Sequence, residues 1–269
     1  ALGTLGLGLI PASGCGFRMM WYPGKAAFRA GSPGACPGTV TQWDDANIGQ
    51  YSWAGGNGTV ASGQSAMAFG DGSRAGGQGS VALGYLVTAN NDYSVAIGYR
   101  ASNNGHTGTF VWGDQSATDS VLNSADNEFR IRAAGGVALR TSSTGSTGCN
   151  LPAGSGTFVC SSSRALKEGF RAVDGEEVLR RLRATPVSTW SYISEGPRVR
   201  HMGPFAEDFY RAFGLGVGGT GIGLGDIDGV NFAAAQALEA RTAALQAELA
   251  ATRRLVAELQ ARMARLEQR

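Results

Sequence analysis

Three consecutive serines, Ser161, Ser162 and Ser163, stand just ahead of Arg164, Ala165, Leu166 and Lys167. Lysines and arginines together number 23, yet the only lysines are Lys25 and Lys167. Arginine keeps its proton in a protein, whereas a lysine shielded from water can lose it and act as a base. A serine hydroxyl beside a neutral lysine amine is one of the known nucleophile–base pairs. The same string also fits a serine-rich linker followed by a solvated charge. Spacing alone leaves both readings open.

Other residues offer less chemistry. The cysteines are Cys15, Cys36, Cys149 and Cys160, with no C-x-x-C, and the only histidines are His106 and His201. That set lacks zinc-ligand spacing, and no cofactor or metal is expected. Cys149 and Cys160 bracket Leu151 to Gly156, where a hairpin would bring them together, as suits an oxidising exterior. Two free buried thiols fit equally well. Gly216 to Gly221 matches G-x-G-x-x-G, but no parallel-sheet unit of about 30 residues surrounds it and no helix is expected directly after it, which favours a mobile glycine loop. Asp226 to Gly229 is too short for a calcium loop. Asp71, Asp92 and Asp114 are scattered over expected turns, so the repeat region offers no clustered carboxylate pair for an enzyme acting on an external substrate.

The elements that must position the serine–lysine string differ on its two sides. Upstream the chain is glycine-rich; downstream it is arginine-rich and mostly helical. Glycine, at 42 residues, is about twice its usual share. Only 16% of residues are charged, which suits thin stacked β structure better than a thick core. The net charge of +2 gives no field for nucleic acid or an anionic membrane. No apolar run reaches the roughly 18 residues of a membrane helix. Leu2 to Ile10 is apolar but lacks a basic flank and an initiator Met, making a poor signal peptide. The start at Ala1 suggests a fragment or a processed chain.

Residues 1–47 are expected to be an irregular β lead-in, with Met19, Met20, Trp21, Tyr22 and Phe28 around Pro23-Gly24. Packing against a neighbouring element, or a sugar-binding aromatic surface, would use these side chains. A repeat occupies residues 48–114. Ser52-Trp53-Ala54-Gly55-Gly56, Ala66-Met67-Ala68-Phe69-Gly70, Ser80-Val81-Ala82-Leu83-Gly84 and Ser94-Val95-Ala96-Ile97-Gly98 place their closing glycines 14 residues apart, and Thr109 to Gly113 follows one residue late. Each unit reads strand, turn, strand, turn. One unit cannot bury its apolar face, but stacked units can. Ala68, Ala82 and Ala96 fit a narrow interior, while Met67, Val81 and Val95 lie on the opposite face, whose apolar character suggests burial between subunits. These lines resemble the head repeats of trimeric autotransporter adhesins. That resemblance implies a left-handed parallel β-roll with three chains side by side. Residues 115–160 are expected to form a β neck, with Phe129 to Arg132 and Val137 to Arg140 as a hairpin about Ala133 to Gly136.

Residues 161–230 are expected to form a small α+β unit. Asp174 caps a helix with Glu177 three residues on, Pro186 ends it, and Val187 to Tyr192 forms a strand. A second helix starts near Pro204, carries Phe205, Phe209 and Phe213, and stops at Gly214. From about Gly229 to Arg269 a long helix places Thr242, Leu249, Val256 and Met263 at a, with Leu238, Leu245, Thr252, Leu259 and Leu266 at d, a parallel coiled-coil pattern over residues 231–269. An amphipathic helix packed on its own domain is the alternative.

Ser162 to Glu168, the Pro186 to Tyr192 strand, Arg200 to Phe209 and the closing helix occur in an order that resembles the C-terminal intramolecular chaperone domain of phage endosialidases and tail spikes. The resemblance covers about residues 161–269. It implies a homotrimeric β fibre whose C-terminal domain guides assembly and then cuts itself off. Carried over by spacing, Ser162 is the nucleophile, Lys167 the base and Ser161–Ser162 the bond cut. The family has an acidic residue where Ser163 stands, Asn where Gly169 stands, and commonly glutamine where Glu207 stands. His201 matches a frequent family histidine; it and Glu207 are candidate supporting residues, His201 in a structural role. The alternative is a non-cleaving trimerisation module of a tail fibre or adhesin that binds a host glycan or protein. The expected place is a virion tail fibre or a bacterial cell surface.

Overall fold

The computed structural model describes residues 5–35 and 37–267. Part of the expected Leu2–Ile10 segment, Cys36 and the last two positions of the expected long helix lie outside these. The chain divides into two compact units, Ala1–Leu166 and Lys167–Arg269.

The first unit begins with an antiparallel hairpin of β1 (Arg18–Tyr22) and β2 (Ala27–Ser32). Coils follow, each pairing a longer strand with a two-residue one. They are β3 (Trp53–Asn57) and β4 (Val60–Ala61), β5 (Met67–Asp71) and β6 (Arg74–Ala75), β7 (Val81–Tyr85) and β8 (Thr88–Ala89), β9 (Val95–Tyr99) and β10 (Ala101–Ser102), then β11 (Phe110–Gly113) and β12 (Val121–Leu122), closing on β13 (Phe129–Arg132). The longer strands and the hairpin form one eight-stranded sheet, and the short strands a five-stranded one. From β2 onward both sheets are parallel.

Register explains the repeat. Ala54, Ala68, Ala82, Ala96 and Val111 stack directly on one another, all fully buried. A buried methylene-sized group contributes only about 0.8 kcal/mol, so a single coil has little core and the stack supplies it. Arg29 precedes this column and Arg130 follows it, in the same register. Arg29 is fully buried and donates to the carbonyls of Phe28, Ser52 and Ala61 and to Ser52 Oγ. Burial lowers its pKa to about 10. At the other end Arg130 binds Glu128, and Arg132 binds Asp114 and Asp119. Arginines therefore close the narrow interior where no further coil can.

The outer face of the eight-stranded sheet carries two apolar rows. One runs Phe28, Trp53, Met67, Val81, Val95, Phe110, Phe129; the other includes Phe69, Leu83, Ile97, Trp112 and Ile131. Trp53 is 49% exposed and Phe129 67%, an apolar surface larger than a lone coil stack should leave to water.

The expected hairpin of Phe129 to Arg132 with Val137 to Arg140 does not form. β13 instead pairs in parallel with β11, matching Phe129 to Phe110 with ring centroids 4.9 Å apart. The turn at Ala133 to Gly136 exists, Gly136 N–H donating to the Ala133 carbonyl, but it leads the chain into a new sheet. The basic positions Arg130 and Arg132 serve as interior caps rather than a solvent face. Likewise, β2 continues the parallel sheet from within the expected lead-in. The new sheet is antiparallel: β14 (Gly136–Arg140), β15 (Gly148–Pro152) and β16 (Val159–Cys160). Cys149 lies opposite Cys160 and the two are disulfide-bonded across an 11-residue separation. A loop of this length gains on the order of 3 kcal/mol from the crosslink, in a sheet with no buried residue.

The second unit contains α1 (Gly175–Ala184), β17 (Ser188–Trp190), β18 (His201–Gly203), α2 (Ala206–Phe213) and α3 (Leu224–Glu267). Asp174 accepts from the N–H groups of Glu176 and Glu177, the expected cap. Gly214 adopts the left-handed conformation that ends α2. Val178, Phe209, Val230 and Ala234 form the buried core. Gly175 lets α1 approach Ala237 of α3, and Glu176 pairs with Arg241. No described helix is long and apolar enough to cross a membrane.

Candidate functional site

The serine string follows directly from the disulfide. Ser161 continues past β16, its N–H donating to the Gly148 carbonyl at 2.8 Å and its one hydroxyl proton shared between the Gly148 and Ser146 carbonyls, 3.0 and 3.1 Å from Oγ. Ser162 lies next, in exposed coil. Ser163 opens a single 3-10 turn over Arg164–Leu166, its Oγ accepting from Ala165 N–H and its carbonyl from Leu166 N–H. Lys167 is the first residue of the second unit and is exposed.

His201 is half-buried on β18. Its ring stacks on Trp190 at 4.7 Å and meets Tyr192 edge-on at 5.4 Å, and Nε2 lies 2.8 Å from Glu195 Oε2. These contacts give it a packing role. Glu195 was not legible as its partner, because it lies on an irregular segment between two short strands. Glu207 is exposed in the first turn of α2, a place that suits a carboxylate against the helix dipole. A cavity of about 430 Å³ lies among α1, the loop after α2 and α3, lined in part by Val178, Arg181, Phe213 and Val230. None of Ser162, Lys167, His201 or Glu207 lines it. Contrary to expectation, a helix does open soon after Gly221, at Leu224. The glycine string follows α2 rather than a strand, so the nucleotide-loop context is still missing. Among the described residues no cluster of three or more His, Cys, Asp or Glu could hold a metal ion.

A stack of parallel coils with an apolar outer face, followed by a small helical unit ending in a long exposed helix, defines a repeat-built head joined to a separate C-terminal module. Residues 61–86 and 88–101 match two copies of the YadA head domain repeat, and residues 162–216 match the chaperone of endosialidase. The chain carries head repeats and then a chaperone-of-endosialidase domain, in that order. Together these fit a trimeric fibre with a chaperone domain and a surface or extracellular place. No curated protein and no solved structure matches the chain.

Proposed function

We propose that this chain forms a homotrimeric fibre or surface stalk whose C-terminal domain guides assembly and then cuts itself off at Ser161–Ser162. The observation that carries the reading is the order of the two matched families, with the second beginning at residue 162. Residues 231–269 act as a parallel coiled coil that raises the effective concentration of the three heads and sets their register. Parallel pairing between distant segments is slow and aggregation-prone without such help.

The chemistry uses only the chain itself. Neutral Lys167 accepts the Ser162 hydroxyl proton, and Oγ adds to the Ser161 carbonyl carbon. The C–N bond breaks as the Ser162 nitrogen takes the proton back from the lysine ammonium. Ser161 is then an ester on Ser162 Oγ. Water hydrolyses it, leaving a Ser161 carboxylic acid and a restored Ser162 hydroxyl. In the trimer, partner chains that cover Lys167 would supply the water-poor setting in which a lysine gives up its proton. Cutting therefore reports completed assembly.

Denaturing gels with mass analysis test this. Wild type should give fragments ending at Ser161 and starting at Ser162, while Ser162→Ala and Lys167→Ala stay whole. Hydroxylamine should trap the ester as a Ser161 hydroxamate. A full-length wild-type trimer that persists would leave a non-cleaving clamp. Binding of a host glycan or protein by the head is tested on the assembled full chain with glycan arrays and cells.

A further inference from the structure

The acyl side of the proposed cut is anchored by contacts that burial does not explain. The strand ahead of it, β16, is two residues long, and Val159 within it is 59% exposed. An exposed strand of this length opens readily. Yet Ser161 donates its N–H to the Gly148 carbonyl and its one hydroxyl proton to the neighbouring Gly148 and Ser146 carbonyls, and the residue before it is crosslinked to Cys149. These ties all run to one stretch, residues 146–149. The carbonyl carbon that Ser162 must attack belongs to Ser161.

We propose that the Cys149–Cys160 disulfide and the Ser161 hydroxyl position the Ser161 carbonyl for attack, so that self-cleavage waits for oxidation of the cysteine pair. This rests on the self-cleavage reading above. Cys149, Cys160 and Ser161 Oγ are positioning groups, since the bond-making atoms are Ser162 Oγ and the Ser161 carbonyl carbon. With the pair reduced, β16 frays and the carbonyl leaves its attack geometry; misplacement of about 1 Å can cost on the order of 100-fold in rate. Oxidation proceeds by exchange with an external low-molecular-weight disulfide such as oxidised glutathione. One cysteine thiolate attacks it, forming a mixed disulfide and releasing one thiol; the second cysteine displaces the other thiol. Two electrons pass to the external disulfide, and the two protons leave with its thiols. The chain thus stays whole while it assembles in a reducing compartment and is cut on reaching an oxidising one. The staple also keeps the new C-terminus paired with β15.

The test uses the full chain, folded under reducing conditions and then divided. One half receives glutathione buffers of graded oxidation and the other stays in dithiothreitol, with circular dichroism confirming equal folding. Release of residues 162–269 is timed by gel and mass. The oxidised half should cut at least tenfold faster, in proportion to the disulfide formed. Cys149→Ser with Cys160→Ser should cut at the slow rate in both halves. Ser161→Ala should slow cutting, Ser161→Thr should restore most of it, and the pH–rate midpoint should stay fixed because Lys167 is untouched. Equal rates in oxidised and reduced wild type overturn the positioning role and leave self-cleavage standing. Wild type that stays whole in both halves overturns the self-cleavage reading, and this one with it. Because the oxidised and reduced halves are the same polypeptide, a misfolded double variant does not decide the outcome.

Discussion

Ser80 and Ala66 occupy the same slot one coil apart, and only Ser80 has a hydroxyl for the turn before it. Ser80 Oγ donates to the Gly77 carbonyl at 2.7 Å, as Ser52 Oγ does to Gly49 at 2.6 Å, and both serines are fully buried. In these two coils the repeat serine is a buried bond to its own turn, whereas Ser94 Oγ donates to the His106 carbonyl of the next coil at 3.1 Å. At Ala66 only the backbone N–H reaches the equivalent Gly63 carbonyl. A net hydrogen bond contributes about 1 kcal/mol. Ala66→Ser should raise the unfolding free energy and Ser80→Ala should lower it, each by about that amount, read by calorimetry on the Ser162→Ala background so that cutting does not intervene. Opposite signs for these two changes are the content of the claim; two losses would mean the slot has no room for the hydroxyl at 66.

Coils depend on what closes them, and here charge is decisive. Asp114 sits at about 2, well below its ordinary 3.8, chiefly because the Ser116 hydroxyl donates to it, with Ala134 N–H and Arg132 adding. Glu128 is likewise held at about 2 against 4.5, first by Ser124 N–H and then by Arg130. Carboxyls lowered in the folded state stabilise it above their ordinary values, and that stabilisation is lost as the pH falls from about 4.5 through 2. Hydrogen-exchange protection at Phe129–Arg132 should decline over that window before β5–β9 respond, and Asp114→Asn should flatten part of the decline. At Gly70, φ is 114° and an added Cβ would overlap the Gly84 carbonyl oxygen. Gly70→Ala should cost roughly 2–4 kcal/mol, measurable as a lower denaturant midpoint. The 14-residue period made Ala68, Ala82 and Ala96 readable as an interior column from sequence, and the structure extends that column to Ala54 and Val111. Its arginine ends were not readable, because Phe129 follows Phe110 by nineteen residues and alternating apolar and basic residues mimic a hairpin. The candidate pair was legible because Lys167 is rare in an arginine-rich chain. Its anchoring was not, since Gly148 and Ser146 meet Ser161 only through β15.

Among the described residues, two extended apolar surfaces are larger than a single copy should leave to water. One is the outer pair of rows on the eight-stranded sheet. The other is the seam of α3, where Leu238, Leu245, Leu249, Val256, Leu259, Met263 and Leu266 are all exposed. The second unit buries only four residues as its core among the described ones, little for about a hundred residues. In the proposed trimer the seam forms early, because each α3 helix folds from local contacts and pairs in simple register, and the sheet rows zip afterwards; once the seam is cut away, only unfolding rates hold the head together. Leu249→Asp with Leu259→Asp should therefore abolish trimers in full-length protein and leave aggregated heads, because each Asp removes a seam contact and adds like charges at close range. The head fragment released from cut wild type should sediment as a trimer and resist dilution, yet fail to regain that state after denaturation. Residues 1–161 expressed alone should aggregate in the same way. A head that refolds by itself to a monodisperse monomer, with its outer rows in water, would show that the seam does no guiding and that the sheet needs no partner.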